Sequence, residues 1–456
     1  MYFKLEKPDL DTVKAERIYA LLERDDIRSL ITNSLTDYRY WDKARYQPWP
    51  KNVSPEEGWA AIKFVRFQAL APFRTDSVVV DQQGRPFSLL KGLPWFEDLL
   101  HRIDMGLGGA LRADKGDMLE RESGKLIARG VMEEAIASSQ LEGAHVTRKD
   151  AKRMLREGRK PQNRNERMIL NNYHAMQHIE QQMKREHLSL DSLFKLHAIL
   201  TEGTLENPAN VGTFRDDEGA AEHERVAVRN DSAGDDTIYH MPPQASFMRT
   251  ELDRLIAYAN DDAKVQDIGF VHPVYKAIII HFWIGYLHPF ADGNGRIARA
   301  LFYWYLLRKG YWGFAFLPLS VAIRKSPGQY GMAYIYTEQD DNDLTYFIAY
   351  NLQKIEQALQ EFETYSRESG KENSETLRKA REIYGLNARQ IELVRFFVQK
   401  PNESTTTTIY LKINNISRPT AINDLENLHE KGLLLVKKIG REKHYLGTKK
   451  LLAEFS

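Results

Sequence analysis

The sequence predicts a mainly α-helical protein with an N-terminal α/β-containing region, a helical core that carries a small β-hairpin, and a C-terminal winged helix. Apolar residues recur at helical spacing almost without a break from about Leu119 to Tyr365. Before Leu111 the chain is rich in Trp and Pro and mixes helical and strand-like patterns. Past the helical stretch, three helical patterns precede two strand-like ones. The resulting division is residues 1–111, 112–365, a linker at 366–385, and 386–456.

One helix and one hairpin can be placed in the N-terminal region. Ser54 is followed three residues later by Glu57, which predicts a capping box, and Pro55 suits the first turn of the helix that follows. The stretch DSVVVDQQGRPFSLL predicts a β-hairpin that turns at Gln83 and Gly84. These patterns indicate structure, and they assign no chemistry to the region.

The central region predicts amphipathic helices around one buried helix. LIARGVMEEAIASSQL ends at Gly143, a natural C-terminal break, and TRKDAKRML restarts with Thr147 as its cap. PVYKAIIIHFWIGYL is apolar nearly all round, which is typical of a central buried helix, and it leads to His288. The last central helix is predicted to fray into the polar segment SRESGKENSE, which we assign to the linker.

The C-terminal region predicts a winged helix. NARQIELVRFFVQ, TTTIYLKI and SRPTAINDLENLHEKGLL are predicted helices, and LLVKKIGREKHYLG predicts two strands around a glycine turn. From Asn387 to Ser456 there are twelve Lys or Arg against seven Asp or Glu, a local excess of about +5 that can favour nucleic acid.

The composition narrows the class of protein. The chain has 456 residues, 42% hydrophobic and 28% charged, and a net charge of +1, as in an ordinary globular protein with no general nucleic-acid coat. It has no cysteine, which excludes disulfides, thiolate zinc sites and cysteine nucleophiles. The first residues lack the pattern of a signal peptide and the apolar runs are shorter than a membrane span, so we expect neither feature. We therefore expect a soluble cytoplasmic protein with no membrane partner.

A polar loop interrupts the central region at YLHPFADGNGRIARALF. Pro289 ends the preceding helix, so His288 lies at a helix terminus with its ring free. Gly293, Asn294 and Gly295 permit consecutive N–H groups to form an anion nest at the start of the next helix. The loop therefore predicts an anion site beside a histidine.

Charged side chains complete this predicted site. Asp292 is an oxygen ligand suited to Mg²⁺. Arg296 and Arg299 are three residues apart, so they share a helical face from which both can reach phosphate oxygens. Together these residues can hold a di- or triphosphate beside a group that takes a proton.

Two simpler interpretations stay open from these residues alone. DGNG is also the sequence of an ordinary turn. In that interpretation, the histidine at the helix end makes a structural hydrogen bond and has no chemical role. A metal site formed by His281, His288 and Asp292 is the second alternative, although it lacks a third nitrogen ligand or a Glu base at the usual helical spacing.

HPFADGNGRIAR matches the pattern His-x-Phe-x-Asp-Gly-Asn-Gly-Arg-x-x-Arg at every defined position, and by this motif the chain resembles the Fic family. FRDDEGAAEHERVAVRNDSAGDDTIYHMPP resembles the lead-in, flap hairpin and Pro-Pro that precede the central Fic helices. LHAIL around His197 and DLTYFIAYNL from Asp343 are also similar. The likeness covers about Leu119 to Tyr365, and it implies a mostly helical domain that transfers AMP from ATP to a protein hydroxyl.

The resemblance implies a role for each position of the motif. His288 would be the general base for the target hydroxyl, and Asp292 would hold Mg²⁺ between the α- and β-phosphates of the substrate ATP. The other implied roles are an anion nest from Gly293, Asn294 and Gly295, a contact of Arg296 with the phosphate chain, a contact of Arg299 with the γ-phosphate, and a core anchor from Phe290.

A second motif, SSQLEG, matches the inhibitory pattern of that family from Ser138 through Glu142 to Gly143. It lies N-terminal to the catalytic motif, as in the class whose inhibitory helix precedes the core. Glu142 paired with Arg299 would remove the guanidinium meant for the γ-phosphate and misalign ATP. Without the catalytic motif downstream, the same residues indicate only a helix end with a glycine cap.

Three further sites concern partners and the nucleotide. The flap, about Glu224 to Met241, implies a target protein that adds an extended segment and presents a hydroxyl to the histidine. Tyr330 and Tyr334 could line a base pocket, although tyrosines at helical spacing more often serve packing. In the predicted winged helix, side chains placed for DNA are Arg418, Thr420 and Asn423 on the recognition helix and Lys437, Lys438 and Arg441 on the wing.

The sequence therefore predicts an autoinhibited protein adenylyltransferase that uses ATP and Mg²⁺ to modify a Ser, Thr or Tyr hydroxyl of a target protein or of itself. The alternatives are a DNA-binding regulator whose Fic core senses a nucleotide, and a Fic enzyme that uses another nucleotide or removes AMP. A protein-docking or homodimer-forming winged helix is compatible with the same residues.

Overall fold

The computed structural model describes residues 1–108, 117–229, 236–261, 270–401, 403–414, 416–439 and 442–455. These residues fall into two compact units, Met1–Gln360 and Glu361–Ser456. The fold is mainly α, as predicted. The helices are α1 (Ala15–Leu22), α2 (Asp25–Asp37), α3 (Trp41–Ala44), α4 (Pro55–Phe64), α5 (Pro94–Leu107), α6 (Asp117–Leu141), α7 (Arg148–Glu157), α8 (Arg164–Gln181), α9 (Leu190–Thr201), α10 (Ala245–Ala259), α11 (Pro273–Leu287), α12 (Asn294–Arg308), α13 (Leu319–Arg324), α14 (Pro327–Gln339), α15 (Thr345–Arg378), α16 (Ala388–Gln399), α17 (Thr407–Asn414), α18 (Arg418–Glu430) and α19 (Lys449–Phe455).

The strands form three small antiparallel sheets among the described residues. They are β1 (Arg74–Val80) with β2 (Pro86–Leu90), β3 (Val228–Arg229) with β4 (Ile238–His240), and β5 (Ser404–Thr406), β6 (Leu434–Ile439) and β7 (Glu442–Gly447) in the order β5-β7-β6. The β3–β4 hairpin is the predicted flap, and the turn between its strands lies outside the described residues.

Both patterns placed in the N-terminal region are confirmed. Ser54 caps α4, and the side chain and backbone of Ser54 exchange hydrogen bonds with those of Glu57 in a capping box. The β1–β2 hairpin turns through Gly84, whose φ of +76° suits glycine. The region packs onto the helical core within the first unit, where the buried guanidinium of Arg66 contacts the rings of both Tyr38 and Tyr346.

Helices α11 and α12 form the centre of the first unit. Every side chain of α11 after Pro273 is buried, as its largely apolar sequence predicts, and so are nearly all those of α12. The indole of Trp304 donates to the carbonyl of Met183 at 3.0 Å, which satisfies its N–H inside the core. The loop between the two helices, residues 288–293, carries the predicted site.

The predicted fraying of the last central helix is wrong. Helix α15 continues to Arg378, past the boundary between the units at Gln360 and through most of the segment assigned to the linker. The helical part of that segment contains several Glu, Lys and Arg, which are good helix formers, and its one glycine, Gly370, costs only about 1 kcal/mol. Polarity alone therefore did not mark the end of the helix.

The second unit contains the predicted helices and ribbon and two further elements. Strand β5 pairs with β7, with Thr405 opposite Tyr445, and α19 follows the ribbon. The core of the second unit includes the buried side chains Phe397, Tyr410, Leu425, Tyr445 and Leu451. Strand β5 has three residues, too few to show a period in the sequence. The winged-helix interpretation of this element order stays a prediction.

Candidate functional site

The predicted catalytic histidine lies at the junction of α11 and the polar loop. His288 caps α11 in the left-handed conformation, with φ of +47°, and its backbone N–H donates to Ile284 O at 2.9 Å. This conformation is costly for a residue with a Cβ, so the surroundings must hold it. Nδ1 lies 3.3 Å from Gly285 O, which assigns the ring proton to Nδ1 and leaves Nε2 as an acceptor.

Arg215 holds the backbone around His288. Its Nε donates to His288 O at 2.8 Å, its Nη2 donates to Leu287 O at 3.3 Å, and its own backbone N–H donates to Pro289 O at 2.9 Å. Asp217 forms a buried ion pair with the same guanidinium. These bonds occupy carbonyls that the end of α11 leaves without helical partners. Arg215 therefore stabilises the strained turn that presents His288.

A second histidine, His240 on β4, stands beside the first. Its Nδ1 lies 2.8 Å from a Glu338 oxygen and its Nε2 lies 2.8 Å from Tyr286 O, so both nitrogens face acceptors and the ring is an imidazolium. Burial opposes this charge, but Glu338 outweighs it and raises the pKa of His240. The ring centres of His240 and His288 are 6.5 Å apart. Burial and this neighbouring charge lower the pKa of His288 to about 3, so it is neutral and able to accept a proton.

The loop after His288 is braced from two sides. The side chain of Asn294 accepts from Phe290 N at 2.9 Å and donates to Phe290 O at 2.8 Å, which closes the loop upon itself. His197 stacks on the Phe290 ring, with centroids 3.8 Å apart, accepts from Gly212 N and donates to Asp292 O at 2.9 Å. Phe290 is fully buried, which confirms its role as a core anchor.

The predicted anion nest lies at the start of α12. Gly293 has φ of +90°, and a Cβ there would collide with the side chain of Thr201, so both conformation and space require glycine. The first N–H groups of α12 have no helical acceptor. Arg296 is 1% exposed and donates one bond to Leu200 O at 2.9 Å, while its Nε and Nη2 find no hydrogen-bond partner among the described residues. A buried guanidinium with open donors at a helix N-terminus is a site for an anion.

The predicted inhibitory motif meets the predicted catalytic motif at Arg299. Nη2 of Arg299 donates to a Glu142 oxygen at 2.9 Å and to Ser138 O at 3.0 Å, and Nε donates to Ser138 Oγ at 2.8 Å. The guanidinium is 3% exposed. Burial disfavours its charge, but Glu142 outweighs burial and raises the pKa of Arg299 further. The predicted pairing of Glu142 with Arg299 is therefore present.

The carboxylate of Glu142 also covers the nest. A Cβ built on Gly295 would overlap the Glu142 carboxylate and come within 3.1 Å of Arg299 Nη1. Glu142 thus lies directly over the first turn of α12, where an anion is favoured. Gly143 follows with φ of +84° and ends α6, so glycine is needed to turn the chain away immediately after Glu142.

Asp292 is the remaining charged group of the loop. Its side chain is 44% exposed, accepts from Gly293 N, and lies 3.5 Å from Arg296 Nη2 and 3.7 Å from Arg164 Nη2. In the stretches that the structure describes, no three His, Asp or Glu side chains converge on one point. A single open carboxylate beside an anion seat fits Mg²⁺, which binds one or two carboxylates and the phosphates of its substrate.

One further histidine and two tyrosines were also candidates for the site. His281 is buried and its Nε2 lies 2.7 Å from Tyr330 OH, so it does not join His288 in a metal site. Tyr334 packs on Phe347 at 4.4 Å and approaches His281 O at 3.5 Å. Both tyrosines are half-buried, and their place in a base pocket stays a prediction.

The residues predicted to contact DNA belong to the second unit. Arg418 and Asn423 are exposed on α18, Thr420 is half-buried, and Lys437 and Lys438 are exposed on β6. Arg441 lies outside the described residues. Their contact with DNA stays a prediction. Within the described stretches, no helix combines the length and apolar composition that a bilayer crossing requires.

One part of the chain is similar to known proteins. Residues 187–306, from just before α9 into α12, match the model of the Fic/DOC family. A 72-residue stretch is 35% identical to the protein adenylyltransferase Fic of Nematostella vectensis and covers 16% of each chain. The protein of the same name from Drosophila erecta is also 35% identical over 72 residues, 16% of this chain and 14% of that one. Residues 187–306 therefore match the Fic/DOC family, and the stretch shared with these relatives spans only about a sixth of their length.

A solved structure supports the fold over a larger part of the chain. A Fic family protein from Desulfovibrio desulfuricans G20 superposes with a TM-score of 0.50 and 18% identity, over 79% of this chain and 97% of that one. At this identity the likeness concerns the fold.

Sequence reasoning missed the residues that support the site. Arg215, His240 and Glu338 are distant from the motif along the chain, and no spacing rule connects them to it. A signal was nevertheless present at Arg215 and Asp217, which are opposite charges next to the phenylalanine that begins the FRDDEG stretch.

Proposed function

We propose that this protein is an autoinhibited protein adenylyltransferase that moves AMP from ATP to a Ser, Thr or Tyr hydroxyl of a target protein or of itself. One observation carries the proposal: Glu142 forms an ion pair with Arg299 over the N-terminus of α12, beside the neutral His288. This arrangement combines an acceptor for a hydroxyl proton, a binding site for phosphates, and an internal carboxylate that occupies this binding site. The relatives named protein adenylyltransferase support the same reaction.

In the proposed reaction, Nε2 of His288 removes the proton from the target hydroxyl. The hydroxyl oxygen forms a bond to the α-phosphorus, the bond between that phosphorus and the bridging oxygen breaks, and pyrophosphate leaves. The negative charge of a bound triphosphate opposes the lowered pKa of His288 and so strengthens it as a base. Arg215 keeps the ring in place through the backbone of His288.

The phosphate chain would lie along the first turn of α12. Arg296 has donors open for it, and Arg299 would bind the terminal phosphate once Glu142 has left. Asp292 would hold a Mg²⁺ ion, whose charge offsets that of the phosphates. Glu142 disfavours this binding mode twice, since it competes for Arg299 and places a negative charge where the phosphate belongs. The contacts of these residues do not indicate which nucleotide base the site prefers.

The reaction is tested with ATP labelled on the α- or the γ-phosphate, Mg²⁺, a cell lysate and the Glu142→Gly protein. We expect covalent label on protein from the α-position alone, and none when His288→Ala is added. Transfer of γ-label would identify a phosphotransferase and contradict the proposal, as would the absence of both labels from a folded protein. Glu142→Gln provides the matched control that removes the charge and keeps the size of the side chain.

We propose DNA binding by the second unit as a further candidate function. Exposed basic side chains on α18 and β6 support it, together with the excess of about five positive charges from Asn387 onward. Titration with duplex DNA at increasing salt tests it, because phosphate contacts require the affinity to fall steeply as salt rises. Absence of binding at low salt would contradict it.

A further inference from the structure

The flap carries an additional strand from the beginning of the chain. Ile238 of β4 donates its backbone N–H to Met1 O at 2.8 Å and accepts from Phe3 N at 2.9 Å, so that Tyr2 pairs with Ile238 in parallel. The Phe3 ring lies 5.1 Å from that of Tyr239. Residues 1–3 therefore occupy the edge of β4 that faces away from β3.

A side-chain amide secures this pairing. Gln339, the last residue of α14, donates from Nε2 to Phe3 O at 3.0 Å and accepts from Leu5 N at 2.9 Å. If the parallel ladder continued, Phe3 O and Leu5 N would instead form hydrogen bonds with the backbone of His240. The amide of Gln339 thus replaces the next peptide unit and holds the segment at the point where strand pairing stops.

The strand whose edge is occupied also carries His240, the neighbour of His288. His240 is two residues after Ile238 on the same strand, it contacts Tyr286 O, and its ring is 6.5 Å from that of His288. A polypeptide hydroxyl that loses its proton to His288 must come from a segment that passes close to this strand. Edge strands accept such segments by backbone hydrogen bonds, largely independent of side-chain sequence.

The first residues are suited to leave this edge. Met1 is 95% exposed and Tyr2 is 41% exposed, and Lys4 is exposed as well. The bonds that hold the segment include backbone hydrogen bonds to Ile238 and the amide of Gln339, the same kind of contact that a competing strand would make. From Glu6 onward the chain is anchored independently, because Glu6 accepts from Tyr40 and forms an ion pair with Arg45. Release of residues 1–5 can therefore leave the contacts of Glu6 in place.

We propose that residues 1–5 of this chain occupy the strand-accepting edge of the flap and compete there with an extended segment of the target protein. This inference rests on the proposed adenylyl transfer. It adds a control over target access that is distinct from Glu142, which acts on the nucleotide.

The test uses two proline variants of the full chain. Phe3→Pro removes the N–H that donates to Ile238 O, whereas Lys4→Pro introduces the same ring one residue later, where the N–H faces the opposite edge. Amide hydrogen exchange at Ile238 should be about tenfold faster in Phe3→Pro and unchanged in Lys4→Pro. Gln339→Glu, which replaces the donor by a carboxylate at similar size, should accelerate the same exchange.

The functional part is measured in the Glu142→Gly background with α-labelled ATP and a lysate. Phe3→Pro should raise label on other proteins by roughly threefold to tenfold, and Lys4→Pro should not. A fluorescent peptide with the sequence MYFKLE should bind Phe3→Pro and lower that labelling, and it should not bind the unsubstituted chain. Unchanged amide exchange at Ile238 in Phe3→Pro would contradict the pairing of residues 1–3 with β4. Faster exchange without more labelling would contradict their competition with the target protein. Failure of the adenylyl-transfer proposal is distinguished from both, because Glu142→Gly itself would then carry no label.

Discussion

At the scale of single residues, Arg299 joins the two motifs of the chain. It lies three residues after Arg296 in the catalytic motif and binds both the hydroxyl of Ser138 and the carboxylate of Glu142. The sequence predicts this pair because each motif is contiguous and recognisable. It does not predict Arg215 or the pair of His240 and Glu338, since these contacts depend on how distant segments pack.

The hydroxyl of Ser138 is predicted to contribute to inhibition. Ser138→Ala removes the acceptor of Arg299 Nε inside a buried site, and a hydrogen bond to a charged group contributes about 1.5–3 kcal/mol. We expect α-label incorporation to rise, by no more than about a hundredfold and by less than in Glu142→Gly. Ser139→Ala is the matched control, because the Ser139 hydroxyl donates to Met168 O and is directed away from Arg299. An equal rise in both variants would contradict a specific role for Ser138.

At the scale of elements, the position of α6 determines where Glu142 lies. Glu134, one turn before Ser138, is fully buried and accepts from Tyr303 of α12 and from Ser320 N of α13. Burial raises the pKa of its carboxyl. The sequence predicts α6 and its end at Gly143 correctly, because glycine with positive φ is a strong local signal. It does not show that α15 continues past Tyr365, since polar composition is shared by linkers and exposed helices.

Gly130 lets α6 approach its neighbour closely. A Cβ there would overlap backbone atoms of Ala315 and Phe316, which cannot move aside like a flexible side chain. Gly130→Ala should therefore lower the free energy of unfolding by about 1–3 kcal/mol, measured by urea denaturation. Gly331→Ala in α14 is the control: nothing lies within 4 Å of its Cβ position, and the change should stabilise by about 0.5–1 kcal/mol. Similar effects of the two substitutions would contradict the close contact.

At the scale of the whole molecule, the first unit contains buried neutral histidines that make it sensitive to acid. Burial lowers the pKa of His288 and of His281 to about 3, and that of His197 to about 4. Each takes up a proton on unfolding once the pH is below the ordinary histidine value of about 6.5. His240 has a raised pKa, so its contribution is fully present below that value and is lost only as pH rises.

The free energy of unfolding of the first unit should therefore fall between pH 6.5 and pH 4, by up to about 1.4 kcal/mol per pH unit for each of the three histidines. Tryptophan fluorescence during denaturation reports this unit alone, because all 7 Trp residues precede Gln360. His281→Phe should reduce the pH slope, since it removes one of the protons taken up. A slope that is flat in the unsubstituted chain would contradict the neutral state of these side chains.

The two units differ in how much of their fold the sequence predicts. In the first unit, helix caps and the catalytic motif are local features, and they were placed correctly at Ser54, Gly143 and His288. Pairing of the first residues with β4 was not, because a bridge between Tyr2 and Ile238 depends on long-range packing. In the second unit, the three-residue strand β5 was too short to detect.

The central claim is that Glu142 holds the nucleotide site in an unproductive state. It is tested most directly by the rate of α-label incorporation at saturating ATP, in the unsubstituted chain and in Glu142→Gly. We predict a rise of at least about a hundredfold, because loss of the carboxylate frees Arg299 for the terminal phosphate and restores alignment for attack. Equal rates in the two proteins, with both folded and ATP saturating, would contradict the account.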